Sequence, residues 1–130
     1  MDRRTFLPGM LALVATSVLE AQQTDKIARI GVLSFTLDGQ PMTLTAFAEA
    51  SDTTLTRLFV PFGDLTNQRE TYRAGRYLDL DRTATGLYDL DFNRAYHPFC
   101  LFNTAYECPI PPRENHLQVQ VRAGERLTAP

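Results

Sequence analysis

With 130 residues the chain has room for one domain. Its net charge of -2, with 22% charged residues, excludes the basic footprint of a nucleic-acid or acidic-lipid binder. A hydrophobic content of 44%, with eight Phe and five Tyr, excludes a disordered chain.

Asp2-Arg3-Arg4-Thr5-Phe6-Leu7 places paired arginines ahead of an apolar run from Phe6 to Leu19. That run is short for a spanning helix of about 20 residues, and a charged segment before it is the pattern of an export signal. The Arg-Arg-x-Phe-Leu order resembles a twin-arginine signal. The alternatives are an uncleaved anchor or a buried N-terminal helix. Ala21 and Ala15-Thr16-Ser17 offer cleavage sites, and the lack of Cys near residue 20 excludes a lipoprotein anchor. The expected organisation is a signal over residues 1–21, a leader remnant or first strand over 22–34, and a single β domain over 35–130. The expected location is periplasmic or secreted, with no stable membrane insertion after cleavage. About 109 residues would remain, enough to bury roughly 60–70% of the unfolded surface.

Residues 1–7, Glu20 to Thr24 and Lys26 to Ser34 together resemble the opening of periplasmic substrate-binding proteins of bacterial ABC importers. There Ile30-Gly31-Val32-Leu33 would be the first strand of a large α/β domain. No alternation of strands with long amphipathic helices follows Ser34. The resemblance therefore implies a borrowed leader.

The rest of the chain reads as strands. Leu33, Phe35 and Leu37 alternate with Ser34 and Thr36, Asp38-Gly39 turns the chain, and Met42, Leu44 and Ala46 alternate with Thr43 and Thr45. This predicts a hairpin, loosened by Gln40-Pro41. Between Leu44 and Leu58 a short helix has room, but the threonines oppose it. Leu58 to Phe62 is a short strand that Pro61 places at an edge or strand end. Glu70 to Leu80 reads as a strand interrupted at Gly75. Gly86 to Phe92 alternates, with Tyr88, Leu90 and Phe92 on one face and Asp89 and Asp91 on the other. Leu117, Val119 and Val121 form the last strand. Six strands without a long helix predict a mostly β fold, a small antiparallel barrel or sandwich.

Several motifs carry a family resemblance: Leu58-Phe59-Val60-Pro61-Phe62-Gly63-Asp64, Glu70 to Leu78, Leu90-Asp91-Phe92-Asn93-Arg94-Ala95-Tyr96-His97-Pro98, Cys100, Cys108 to Pro112, Glu114-Asn115 and Arg122 to Glu125. From about residue 35 to 125 the chain resembles domain-of-unknown-function family 1684. The resemblance implies a mostly β domain and no reaction. His97 stands where that family usually has Asn, and His116 where it usually has Arg. Members also carry more residues ahead of the Phe35 region, so the leader is expected to replace part of the domain.

Cys100 and Cys108 are the only cysteines. In an exported protein such a pair is expected to form a disulfide. Closing a nine-residue loop stabilises by roughly 2.6 kcal/mol in the chain-entropy model. Phe102 and Tyr106 of that loop are expected to pack beside the core. The alternatives are a metal site of Cys100, Cys108, His97 and His116, or a Cys100 nucleophile with His97 as base. No cofactor is implied.

The ligand-binding candidates are Tyr72, Arg76, Asp91, Asn93, Arg94, Glu114 and Asn115. Asp91 and Asn93 share a strand face, and paired arginines suit an anion in fork geometry. The alternative is a structural network in which Asp91 and Asn93 serve turns and Tyr96 the core. Asp79 with Asp91 is a possible acid–base pair, though acids on neighbouring strands also make an ordinary solvated face. No phosphate loop, nucleophile elbow, paired metal-binding histidines or EF-hand loop is present. The expected function is a binding or structural module for a small polar or anionic ligand. The alternative is a small hydrolase using Asp91, Arg94 and Glu114, or the Cys/His metal site. Export should remove about 17 to 21 residues. Mass spectrometry of periplasmic material tests this, and an intact Met1 terminus would contradict it.

Overall fold

The computed structural model describes residues 27–128; the expected signal lies outside them. A hairpin comes first. β1 (Ile27–Leu37) returns as β2 (Gln40–Glu49) through Asp38 and Gly39, whose φ values of 52° and 76° are those of a tight two-residue turn. Gly39 adopts this conformation freely and Asp tolerates it. Leu37 pairs with Gln40 and Thr36 with Pro41, so Gln40-Pro41 continues the ladder instead of loosening it. In such a hairpin the second pair needs no inward N–H, which suits a proline. No helix forms after Leu44, because β2 runs on to Glu49.

β3 (Arg57–Phe62) and β4 (Arg76–Asp81) complete one open antiparallel sheet in the order β1-β2-β3-β4. The rest of the described chain is irregular, with 3-10 turns at Phe92–Arg94, Phe99–Leu101 and Arg113–Asn115. The fold is mostly β as expected, but with four strands instead of six and no closed barrel. The shortened fourth strand and the two missing strands each have an identifiable cause. Residues 70–75 turn instead of extending: Gly75 has φ +97°, and a Cβ there would collide with the Phe62 carbonyl oxygen. Gly86 to Phe92 makes only a bridge between Arg82 and Tyr88, while Tyr96 takes the outer side of β4 by exchanging backbone hydrogen bonds with Tyr77. Leu117 to Val121 runs beside Gly63 to Leu65, bonded from Leu117 N–H to Gly63 O and from Leu65 N–H to Val119 O, but at Val121 side chains take the ladder groups. Val121 donates its N–H to Asp64 Oδ2 (2.6 Å) and accepts at its carbonyl from Arg76 Nη2 (2.7 Å).

Pro61 sits near the end of β3 although that strand is internal to the sheet. Its partner Tyr77 sends its N–H away, to Tyr96, so Pro61 is not asked to donate toward β4. On its other side β2 and β3 register only at Phe47 and Phe59, and the Asn115 side chain fills the gap. Asn115 Oδ1 accepts from Thr45 N–H (2.7 Å), and Nδ2 donates to Thr45 O (2.9 Å) and Pro61 O (2.8 Å).

The core lies on the face formed by Leu44, Ala46, Ala48, Leu58, Val60, Phe62, Leu78 and Leu80, closed by Ala95, Leu117 and Val121. Fully burying one Leu, Val or Phe contributes about 1.5–3 kcal/mol. At the next inward position of β4 stands Arg76, with no exposed surface. It donates to the carbonyls of Ala123 (2.7 Å), Glu125 (2.9 Å) and Val121, stands 3.7 Å from Asp64 and lies over the Phe62 ring.

The Cys loop departs from expectation. Cys100 and Cys108 stand at disulfide distance with Cα atoms 6.1 Å apart, but Phe102 and Tyr106 are exposed, and the ring beside Tyr106 is that of the exposed Phe99. The loop is therefore held by the cysteine pair and by backbone turns at Phe99–Asn103 and Asn103–Tyr106, with little packing from its aromatic rings.

Replacing Arg76 with Met should lower the unfolding free energy by about 3–5 kcal/mol, because Asp64 is left buried without its partner. Arg76→Lys should recover little of this, since one ammonium cannot span three carbonyls in fork geometry. Urea denaturation decides; wild-type stability in the Lys variant would show that the fork is dispensable.

Candidate functional site

The face of the sheet opposite the core carries a second set of side chains, aligned by register. Ile27 pairs with Glu49 and Arg57 with Asp81; beside them Arg29, Phe47, Phe59 and Asp79 form a row across all four strands. Alternation turns these residues away from the core, as Leu58, Leu78 and Leu80 turn toward it. Ile27, Ala48, Glu49, Asp52, Thr56, Arg57, Phe59, Asp79 and Asp81 line an open cleft of about 710 Å³.

The groups in this cleft are unequally engaged. Arg57 Nε donates to Asp81 Oδ1 (3.0 Å), and Arg94 stands 3.6 Å from Oδ2. The Arg57 hydrogen bond and charge hold the Asp81 carboxyl below the usual carboxylate range, and Asp81 raises Arg57 in turn. Asp52 is tied into its own loop by the N–H and hydroxyl groups of Thr54 and Thr56 and the N–H of Arg57. Desolvation raises its pKa, but these bonds outweigh it and hold the carboxyl below its ordinary value. Asp79 accepts from the Tyr96 hydroxyl at Oδ2 (2.9 Å). Burial, with the Asp79 bond and charge, pushes the Tyr96 phenol well above its usual range.

An aromatic wall stands behind these groups. Tyr77 packs edge-on against Phe59, with ring centres 4.7 Å apart, and against Tyr96 at 5.7 Å. Its hydroxyl donates to Pro109 O (2.6 Å), and burial raises the phenol to about 12.

The structure scatters the residues singled out from sequence. Arg76 and Asn115 are buried and engaged with backbone groups. Asp91 caps the turn that follows it by accepting from Asn93 N–H, and Asn93 is exposed. Tyr72 is half-buried, its N–H given to His97 Nε2 (3.2 Å). Glu114 meets Arg29 of β1 (3.4 Å), whereas Arg94 meets Asp81 of β4. Those anchors lie on opposite edges of the sheet, three strand spacings or about 14 Å apart. None of the seven lines the cleft; Arg94 alone touches it, through Asp81. The sequence reading passed over Glu49, Arg57, Phe59 and Asp81, and weighed Asp79 only with Asp91. Their signal was the alternation Arg57-Leu58-Phe59 and Asp79-Leu80-Asp81, polar or aromatic on one face and apolar on the other.

The alternative metal set is not assembled. Cys100 and Cys108 face each other, and both ring nitrogens of the buried His97 are engaged, Nε2 by Tyr72 N–H and Nδ1 by Glu125 Oε1 at 3.5 Å. Among the described residues no group of three or more His, Cys, Asp or Glu is placed to hold a metal ion.

A family model described as a protein of unknown function, DUF1684, matches residues 12–126, so β1 falls within the match. A search of the curated proteins finds no match. The solution NMR structure of an uncharacterised protein of Haloarcula marismortui is similar at 44% identity and a TM-score of 0.62, over 74% of this chain and 54% of that one. The chain thus spans about half the length of that relative.

His97 generates a pH prediction. Burial lowers its pKa, the Glu125 carboxylate opposes that, and Arg76 adds to it. A folded value below the unfolded one means that protons favour the unfolded chain. The stabilisation is complete above the unfolded value of about 6.5 and is lost as pH falls through it toward the folded value. Melting temperatures between pH 8 and 5 should therefore fall more for the wild type than for His97→Asn. Parallel curves would show that His97 does not govern this window.

Proposed function

Because this chain belongs to the DUF1684 family of proteins of unknown function, we propose its role from the site alone: a binding module that holds a small polar ligand carrying an amino or guanidino group. One observation carries this reading. Cross-strand register gathers Glu49, Asp79 and Asp81 around Phe59 in a single open cleft, with Arg57 the one cation among its lining residues.

The balance of charge favours a cation over the anion that the arginines suggested from sequence. Arg57 is already committed to Asp81, and Arg76 lies in the core. Among the described residues Asp79 receives a bond only at Oδ2, which leaves Oδ1 for a donor from the ligand. Phe59 offers a ring against which the ligand's cationic group or alkyl chain can lie. Charge-assisted bonds from an amine or guanidinium are the stronger kind available to such a carboxylate. The paired arginines of the leader support a periplasmic or secreted setting, to which the cysteine pair is suited.

Agmatine, which carries both a guanidinium and an amine, is a suitable probe. Titrated into isotope-labelled protein, it should shift the amide signals of Glu49, Phe59 and Asp79. Asp79→Asn should weaken binding about tenfold, the equivalent of one charge-assisted hydrogen bond. Binding of small carboxylic acids at these residues, or no shift with any amine or guanidine, would overturn the proposal.

A further inference from the structure

The cysteine pair and the cleft are connected through one tyrosine. Pro109 follows Cys108 directly, and its carbonyl accepts the Tyr77 hydroxyl at 2.6 Å. The Tyr77 ring stands against Phe59, which lines the cleft, and against Tyr96, whose hydroxyl holds Asp79. Tyr77 and Tyr96 also exchange backbone hydrogen bonds at 2.8 and 3.0 Å. At the cysteine end no residue from Phe99 to Ile110 is buried; that end is held by backbone turns at Phe99–Asn103 and by the buried Pro111 that follows it. Phe99, Phe102, Tyr106 and Ile110 are all exposed, so residues 99–110 have little packing to hold them once the sulfurs part.

The geometry points to a redox lock on the cleft: the Cys100–Cys108 bond holds Pro109 on Tyr77, and its reduction by a dithiol releases Tyr77 and weakens ligand binding. This regulation rests on the ligand reading proposed above. A thiolate of the dithiol attacks one sulfur of the bond and forms a mixed disulfide, and its second thiolate displaces the protein sulfur. Two electrons and two protons end on the two cysteine thiols, and the reagent leaves as its own disulfide. Both cysteines are half-buried in a segment whose residues 102–107 are exposed, so a small dithiol can reach them. The released Pro109 no longer orients the Tyr77 hydroxyl. Phe59 then loses its edge-on support, and Asp79 loses the fixed position of Tyr96.

The test compares oxidised protein with protein reduced by dithiothreitol and alkylated. Ultraviolet titration should show one phenol that ionises near 12 in the oxidised form moving toward the ordinary value of about 10 in the reduced form. The amide signals of Phe59 and Asp79 should shift, and agmatine affinity should fall about five-fold. Tyr77→Phe, which keeps the disulfide and removes only the hydroxyl, should weaken agmatine binding in the oxidised protein and make it insensitive to reduction. Identical phenol titration and identical Phe59 and Asp79 signals in the two redox states would overturn the lock. If those signals respond to reduction while agmatine binds in neither state, the lock stands and the ligand reading fails.

Discussion

The architecture hangs on a buried arginine. Arg76 occupies an inward position of β4, where its neighbours on the same face are Leu78 and Leu80, yet its guanidinium reaches three carbonyls of the C-terminal segment. Burying that charge costs several kcal/mol before its partners are counted. Asp64 answers the charge at 3.7 Å and is itself held by Thr66, Asn67 and the N–H of Val121. Arg76 and Asp64 thus bind opposite polar groups of one residue, Val121. At Val121 they do for the C-terminal chain what a strand partner would do.

The same substitution of side chain for backbone recurs between β2 and β3. These strands register at a single pair, and beyond it the Asn115 amide stands between Thr45 and Pro61 as a short surrogate peptide. A planar amide with a donor and an acceptor is the side chain that can meet a backbone N–H and carbonyl together. The residue that fills this gap comes from 70 positions away along the chain. Loss of either Arg76 or Asn115 therefore acts on elements distant in sequence, which is how a small sheet with few ladders remains one cooperative unit.

The cleft is a consequence of this arrangement. The core face is closed by Ala95, Leu117 and Val121, while the opposite face is closed only toward Tyr77 by Tyr96 and the proline-rich segment. The uncovered rows carry the acids, Arg57 and Phe59. In a half-covered sheet of this kind register brings most of the lining side chains together, and Asp52 and Thr56 of the loop between β2 and β3 complete the cleft.

How much of this was legible in the sequence depended on the range of the physics involved. Asp38-Gly39 declared its hairpin because a two-residue turn needs positive φ at both positions, a property of those residues alone. Pro61 near a strand end and the Cys100–Cys108 pair were legible for the same reason: a missing N–H and a thiol pair carry their constraints with them. Alternation was a genuine signal at Leu117 and Val121, which are buried, but it reports which way side chains point and not whether a ladder forms. The ladder with Gly63 and Leu65 stops at Val121, because Asp64 and Arg76, far off in sequence, take that residue's hydrogen-bonding groups. Arg76 and Asn115 resembled ligand residues, since a fork of donors or an amide has the same chemistry facing a ligand or a backbone. Only the tertiary structure decided between those partners, and only the pairing of β2, β3 and β4 set Glu49, Arg57, Phe59 and Asp79 in one cleft. Register joins Phe47 to Phe59 and Arg57 to Asp81, residues well separated along the chain, and no local pattern contains it.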